Sequence, residues 1–215
     1  MKTYIVIGLG RFGTEVAKKL SSYGCEVMAL DTHSEQVQQI SSFVTHAVVG
    51  DARDKEVLRS LGVSSFDCGI VAIGGSLGDS VLATMNLKEL GIPYVVCKAH
   101  DETHRQVLNK LGADLVVIPE QENAARLARS LSSPNVLDYI ELSDACGIIE
   151  MPAPDRWLER SLIELNIRAK LGVNIIAIKR EGKITVSPSA DFRISQGDTL
   201  VILGDTAALS AVQKL

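Results

Sequence analysis

The feature that most restricts what this chain can fold into lies at its start. Tyr4-Ile5-Val6-Ile7 runs straight into Gly8-Leu9-Gly10-Arg11-Phe12-Gly13, and Glu15-Val16-Ala17-Lys18-Lys19-Leu20 then takes up a helical period. An apolar, mostly β-branched run followed by Gly-x-Gly-x-x-Gly and an amphipathic stretch reads as buried strand, tight turn and helix N-terminus. In such a turn the first glycine leaves the strand, the second lets a phosphate approach the backbone, and the third lets the helix pack close to the sheet. Gly8, Gly10 and Gly13 occupy those places, and free N–H groups at the positive end of the helix dipole face the phosphates. The triplet alone is weak evidence. The next apolar run, Glu26-Val27-Met28-Ala29-Leu30, however, ends in Asp31, roughly 20 residues on, where a carboxylate accepts hydrogen bonds from an adenosine ribose. Asp31 would also serve as a cap for a helix beginning near Ser34. The order of strand, turn, helix, strand and acid favours the ribose, and an aspartate there repels the 2′-phosphate of NADP.

The rest of the first half repeats the alternation. Strands are expected at Thr45–Val49, Asp67–Ile73, Tyr94–Lys98 and Asp114–Ile118, with helices at His33–Ser42, Asp54–Leu61, Ser76–Leu90 and Asp101–Leu111, most stops marked by glycine or proline. Continuous apolar strands alternating with helices predict a Rossmann-like, doubly wound parallel sheet of six strands, an α/β fold. Ligands settle outside the carboxyl ends of such strands. That edge carries the Gly8 loop, Asp31, Gly50-Asp51-Ala52, Ile73-Gly74-Gly75-Ser76, Lys98 and Glu120. Asp51 suits the adenine amino group, with the Ala52 N–H donating to a ring nitrogen, or else a helix N-cap. Lys98 suits a phosphate or a solvated strand end. Glu120 suits a first-turn acid or a divalent-cation ligand. Arg11 stands out, because a forked cation at the helix start suits an extra terminal phosphate, as in ADP or ATP, or a ligand on a neighbouring subunit, the alternative being a solvated surface arginine.

A helix over Glu120–Leu131, a break at Ser132-Ser133-Pro134-Asn135 and a second short helix over Val136–Ser143 suggest a helical crossover. Residues 1–131 are thus expected as the nucleotide-binding domain and 132–145 as the linker. Residues 146–215 are expected as a small α+β domain, with strands at Gly147–Met151, Asn174–Lys179, Lys183–Val186 and Thr199–Leu203. Helices are expected there at Ser161–Leu165 and Ala207–Lys214, and a hairpin turn at Arg180-Glu181-Gly182. A unit this small gains from a partner surface.

At 215 residues and a net charge of −4, the chain has no electrostatic reason to seek nucleic acid or anionic lipid. It contains no apolar run long enough to span a bilayer and no signal peptide ahead of the first strand. Cys25, Cys68, Cys97 and Cys146 are scattered, without the spacing of a disulfide or zinc framework, which suits a reduced, cytosolic compartment.

Several stretches together resemble the regulator-of-potassium-conductance (RCK, or KTN) family, specifically the regulatory subunits of Ktr/Trk-type potassium uptake systems. They are Val6–Gly13, Ala47-Val48-Val49-Gly50-Asp51-Ala52, Lys88-Glu89-Leu90-Gly91-Ile92-Pro93, Leu111-Gly112-Ala113-Asp114, and Asn166-Ile167-Arg168-Ala169-Lys170 followed by Asn174–Ile178. The resemblance covers the whole chain. It implies a cytoplasmic ring, an octamer built from four dimers, docked under a membrane-embedded potassium-translocating subunit. It further implies that the first domain binds ATP, ADP or NAD(H), that Arg11 reaches a terminal phosphate, commonly from the adjoining subunit, and that Glu120 helps hold Mg2+ or Ca2+. For the second domain it implies cyclic di-AMP at Arg168, Ala169, Asn174, Ile175 and Pro188, with Leu162 and Ile163 as an apolar wall. The alternative for these positions is ordinary core, with Arg168 a helix-end cation.

Three function classes are thus in competition. A non-catalytic gating subunit needs only ligand-dependent shape. An NAD-dependent oxidoreductase needs a proton donor or metal in the second domain, where no histidine lies, since His33, His46, His100 and His104 all belong to the first half. A DNA-binding regulator needs a basic patch that the sequence lacks.

Overall fold

The computed structural model describes residues 2–132, 137–143 and 145–215. The chain divides into two compact units, Met1–Gln121 and Glu122–Leu215.

The first unit is built on β1 (Thr3–Ile7), β2 (Glu26–Asp31), β3 (His46–Val49), β4 (Cys68–Val71), β5 (Tyr94–Lys98) and β6 (Leu115–Val117). They form one parallel sheet in the order β3-β2-β1-β4-β5-β6, as the alternating pattern predicts. The connecting helices are α1 (Arg11–Ser22), α2 (Ser34–Ile40), α3 (Lys55–Ser60), α4 (Leu77–Glu89) and α5 (Glu102–Lys110). Strand residues alternate between two cores, which is why they read as unbroken apolar runs. Ile5 and Ile7 pack with Leu58, Leu87 and Leu108, whereas Val6 packs with Ala17, Val37 and Ile40. Cys68 and Cys97 sit in β4 and β5 as buried core residues. Burial raises both thiols to about 11. Because the strand order reverses between β1 and β4, the loops after these two strands part and leave a crevice.

The second unit is an antiparallel sheet in the order β10-β9-β11-β8-β7. Its strands are β7 (Asp138–Ser143), β8 (Cys146–Pro152), β9 (Asn174–Arg180), β10 (Lys183–Val186) and β11 (Thr199–Asp205). Helix α6 (Pro119–Ser132) begins in the first unit and carries the chain into the second, and α7 (Leu162–Leu165), α8 (Ile167–Leu171) and α9 (Thr206–Val212) complete it. Trp157, Ile178, Ile194, Leu200 and Ile202 lie in its core.

One expectation is corrected here. The short helix expected over Val136–Ser143 is β7, paired with β8 from Asp138↔Glu150 to Ser143↔Cys146, so residues 138–143 belong to the second unit's sheet. The spacing of Leu137, Ile140 and Leu142 was compatible with a helix. An available edge on β8 decides for the strand, because β propensity expresses what a neighbouring strand offers. Ser133, Pro134, Asn135 and Val136 lie outside the described residues.

Candidate functional site

A cleft of about 500 Å³ opens at the carboxyl ends of β1, β2, β3 and β4. It is lined by Gly8, Gly10, Asp31, Asp51, Ala52, Ile73, Gly74, Gly75 and Ser76, all expected at the ligand edge, and also by His33, Arg53 and Asp79.

The glycine turn is shaped as its spacing requires. Gly8 holds φ +91°, and a Cβ there would press within 3.1 Å of the Ala72 carbonyl carbon. A Cβ on Gly13 would lie 1.9 Å from the Gly8 carbonyl oxygen, so only glycine lets α1 approach the turn so closely. Gly10 is the N-cap of α1, and a Cβ on it would meet nothing within 4 Å. The protein itself does not demand a glycine there, which suits a position approached from the cleft.

Asp31 ties this turn to the end of β2. Its Oδ2 accepts from the Leu9 N–H at 2.6 Å. Its Oδ1 accepts from the His33 N–H at 2.9 Å and lies 2.9 Å from His33 Nδ1. Burial opposes the charge, but these N–H groups and the His33 ring outweigh it and hold the carboxyl below the usual carboxylate value. The cap of α2 is His33, so Asp31 is not the N-cap of that helix. Nor is Asp51 a helix cap, because Asp54 caps α3 by accepting from the Glu56 N–H. Asp51 instead grips Arg53, accepting from Nη2 at 2.6 Å and from Nε at 2.9 Å. Arg53 Nη1 reaches on to Asp79 at 3.1 Å. Arg53 and Asp79 had no individual signal in the sequence, although an arginine two residues after a loop aspartate is placed for such a turn.

Arg11, Phe12, Gly13, Lys98 and Glu120 do not line the cleft. Lys98, only 14% exposed, donates to Glu120 Oε1 at 2.6 Å. Its Nζ sits 5.8 Å from the Phe12 ring centroid and 3.8 Å from where a Gly74 Cβ would stand. The Lys98 ammonium first, and the more distant Arg11 charge last, lower the Glu120 carboxyl. Arg11 opens α1, is exposed, and makes no ion pair among the described residues. No three His, Cys, Asp or Glu side chains among the described residues form a metal-holding group. Glu120 is exposed and offers a hard oxygen ligand, so it fits a cation whose other ligands are phosphate oxygens and water.

The second unit has its own cleft, of about 360 Å³, lined by Leu162, Ile163, Asn166, Ile167, Arg168, Val173, Asn174 and Ile175. Five of the seven residues expected at a second ligand site meet there, whereas Ala169 and Pro188 fall outside the lining. Asn166, at φ +47°, turns the chain from α7 into α8 and so brings both helices to the pocket.

A six-stranded parallel sheet with a phosphate-type glycine turn and an acid closing β2, followed by a small antiparallel unit, defines a two-domain nucleotide-cleft protein. The chain belongs to the TrkA-N/TrkA-C (RCK) family, since residues 4–119 match the TrkA-N domain and residues 147–215 the TrkA-C domain. It is 45% identical to the Ktr system potassium uptake protein C of Bacillus subtilis, over 99% of this chain and 96% of that one. It is also 45% identical to the Ktr system potassium uptake protein A of the same organism, over 94% of this chain and 91% of that one. The solved GsuK channel matches the whole chain with a TM-score of 0.70 at 20% identity, over 39% of that longer chain, a likeness of fold.

Proposed function

We propose that this protein is a nucleotide-sensing regulatory subunit of a potassium uptake system, acting without catalysis. The observation that carries the reading is the cleft at the β1–β4 switch point with the glycine turn and Asp31 joined across it, in a chain so similar to Ktr system proteins. ATP or ADP occupies the cleft, with NAD(H) as the other adenine ligand that Asp31 suits. The adenine meets Asp51 and Ala52, and the phosphates run from the Gly8–Gly10 turn towards Arg11, Phe12, Lys98 and Glu120. A Mg2+ or Ca2+ ion at Glu120 takes its remaining ligands from phosphate and water. With Glu120 holding such an ion, Lys98, which now donates to Glu120, would be free to meet a phosphate.

Contacts common to ADP and ATP cancel in any switch, so the preference for one ring shape arises at the terminal phosphate, through Arg11 and the cation. A tenfold preference corresponds to about 1.4 kcal/mol per site, and several identical sites in a ring sum to a switch. The assembly is a cytoplasmic octamer built from four dimers, held at the membrane by the pore-forming potassium-translocating subunit. Cyclic di-AMP binds the second cleft and inhibits. An oxidoreductase reading gains no support from relatives named as potassium uptake proteins, nor from a second unit without histidine.

Calorimetry of the purified chain with ATP, ADP, NADH and cyclic di-AMP, with and without Mg2+ or Ca2+, tests the ligands. Arg11→Ala is expected to keep adenine nucleotide binding and to abolish ATP activation of potassium flux in vesicles carrying the pore subunit. A full ATP response in that variant would remove Arg11 from the mechanism.

A further inference from the structure

The loop between β3 and α3 is held more firmly than a surface turn requires. Asn86, a 9% exposed residue of α4, donates through Nδ2 to the carbonyl oxygens of both Ala52 and Arg53 at 2.9 Å. The Asp54 N–H closes the turn onto the Asp51 carbonyl at 3.1 Å. The backbone on either side of Asp51 is therefore fixed from within α4, whatever the side chain does.

The side chain is fixed separately. Asp51 Oδ1 accepts from the Arg53 N–H and Nε, both at 2.9 Å, and Oδ2 accepts from Nε at 3.0 Å and Nη2 at 2.6 Å. The same guanidinium is anchored at its other arm by Asp79, the first-turn acid of α4. One planar cation is thus clamped between two carboxylates from different elements, and Asp51, Arg53 and Asp79 all line the cleft. A bidentate fork occupies the carboxylate lone pairs that face it. Nε carries a single hydrogen, so its two contacts are the arms of one bifurcated bond and three donors in all face the carboxylate. An ionised carboxylate offers about four acceptor sites, which leaves one on Oδ2, on the side away from the guanidinium. Hydrogen bonding by Arg53 also holds the Asp51 carboxyl below the usual carboxylate value, keeping it an acceptor only.

We propose that Arg53 is the positioning residue for base selection: by clamping Asp51 against Asp79 it presents a fixed, acceptor-only carboxylate that takes a 6-amino purine and turns away a 6-oxo purine. The inference rests on the nucleotide reading given above. A 6-oxo group would set an acceptor against a charged acceptor, and a site with a fixed polar group discriminates far better against the wrong partner than an apolar pocket does. A mobile Asp51 would rotate away and lose that penalty.

The test is calorimetric titration of the full chain with ATP and with ITP, which differ at the 6-position and in the hydrogen that a 6-oxo base carries on N1. The wild type is expected to bind ATP about ten- to a hundredfold more tightly than ITP, the range of one charge-assisted hydrogen bond. In Arg53→Ala and in Arg53→Gln, which keeps length without the charged fork, the ATP to ITP ratio is expected to fall towards one, mainly through weaker ATP binding. An unchanged ratio in both variants, or an equal weakening of both nucleotides, overturns the role of Arg53 while leaving the cleft a nucleotide site. Failure of the wild type to bind either nucleotide overturns the nucleotide reading itself, and this inference with it.

Discussion

At the scale of the residue, two positions make sharp demands. Gly13 is confined by backbone, since a Cβ would stand 1.9 Å from the Gly8 carbonyl oxygen, and a backbone atom cannot swing aside as a flexible side chain would. Gly13→Ala is therefore expected to cost about 3 kcal/mol or more and to open the phosphate turn, seen as a lower urea midpoint together with lost ATP binding. His104 is 1% exposed, its Nδ1 lies 2.9 Å from His100 Nδ1, and its buried Nε2 has no partner among the described residues. Burial first, and then the neighbouring His100, lowers its proton affinity against the opposing pull of Asp101. As pH falls below about 6.5 the unfolded chain takes up a proton before the folded one does, so stability declines there and is complete above it. Urea midpoints measured between pH 7.5 and 5.5 should fall on acidification, and His104→Gln should flatten that fall. An unaltered slope would assign it to another group. The acids at the ends of β2 and β3 were visible in the sequence as residue types at the right spacing. Their partners were not: that Asp31 would grip Leu9 and His33, and Asp51 would grip Arg53, depends on distances between loops that no spacing encodes.

At the scale of the element, local signals fared best where the chain supplies its own hydrogen-bond partners. Ser161 and Glu164 form a reciprocal capping box that starts α7, where a helix from Ser161 was expected. Ser161→Ala is expected to cost about 1 kcal/mol, read from thermal or urea unfolding, and to loosen the Leu162–Ile163 wall of the second cleft. The hairpin turn between β9 and β10 was equally legible: Glu181 and Gly182 hold φ of +49° and +77°, the twist that closes a two-residue loop. Strand β7 was not legible, because its pattern allows a helix until β8 lies beside it. Helix α6 is the element through which a ligand effect would leave the first unit, since Glu120, in its first turn, is the partner of Lys98. Glu120→Gln is expected to remove the Mg2+ or Ca2+ dependence of ATP affinity. Calorimetry showing the same cation effect in the variant would place the ion elsewhere.

At the scale of the whole molecule, two clefts lie in separate units, each lined only by residues of its own unit. Arg168→Ala is therefore expected to reduce cyclic di-AMP affinity at least about tenfold, as for a charged contact, while ATP affinity in the first cleft stays unchanged. A parallel loss of both would mean the variant damages the fold rather than the site. The sequence by itself determined the layered parallel sheet, the glycine turn, the acid at the end of β2 and the existence of a distinct second half. Each of these follows from periodicity, from glycine's lack of a Cβ or from a short fixed spacing, all local properties. Tertiary structure alone decided that residues 138–143 join a sheet, that Lys98 turns to Glu120, and that Asp51 is clamped by Arg53 and Asp79. Those outcomes depend on which surfaces the folded elements bring within hydrogen-bonding reach, and that is set only when segments far apart in the chain have packed.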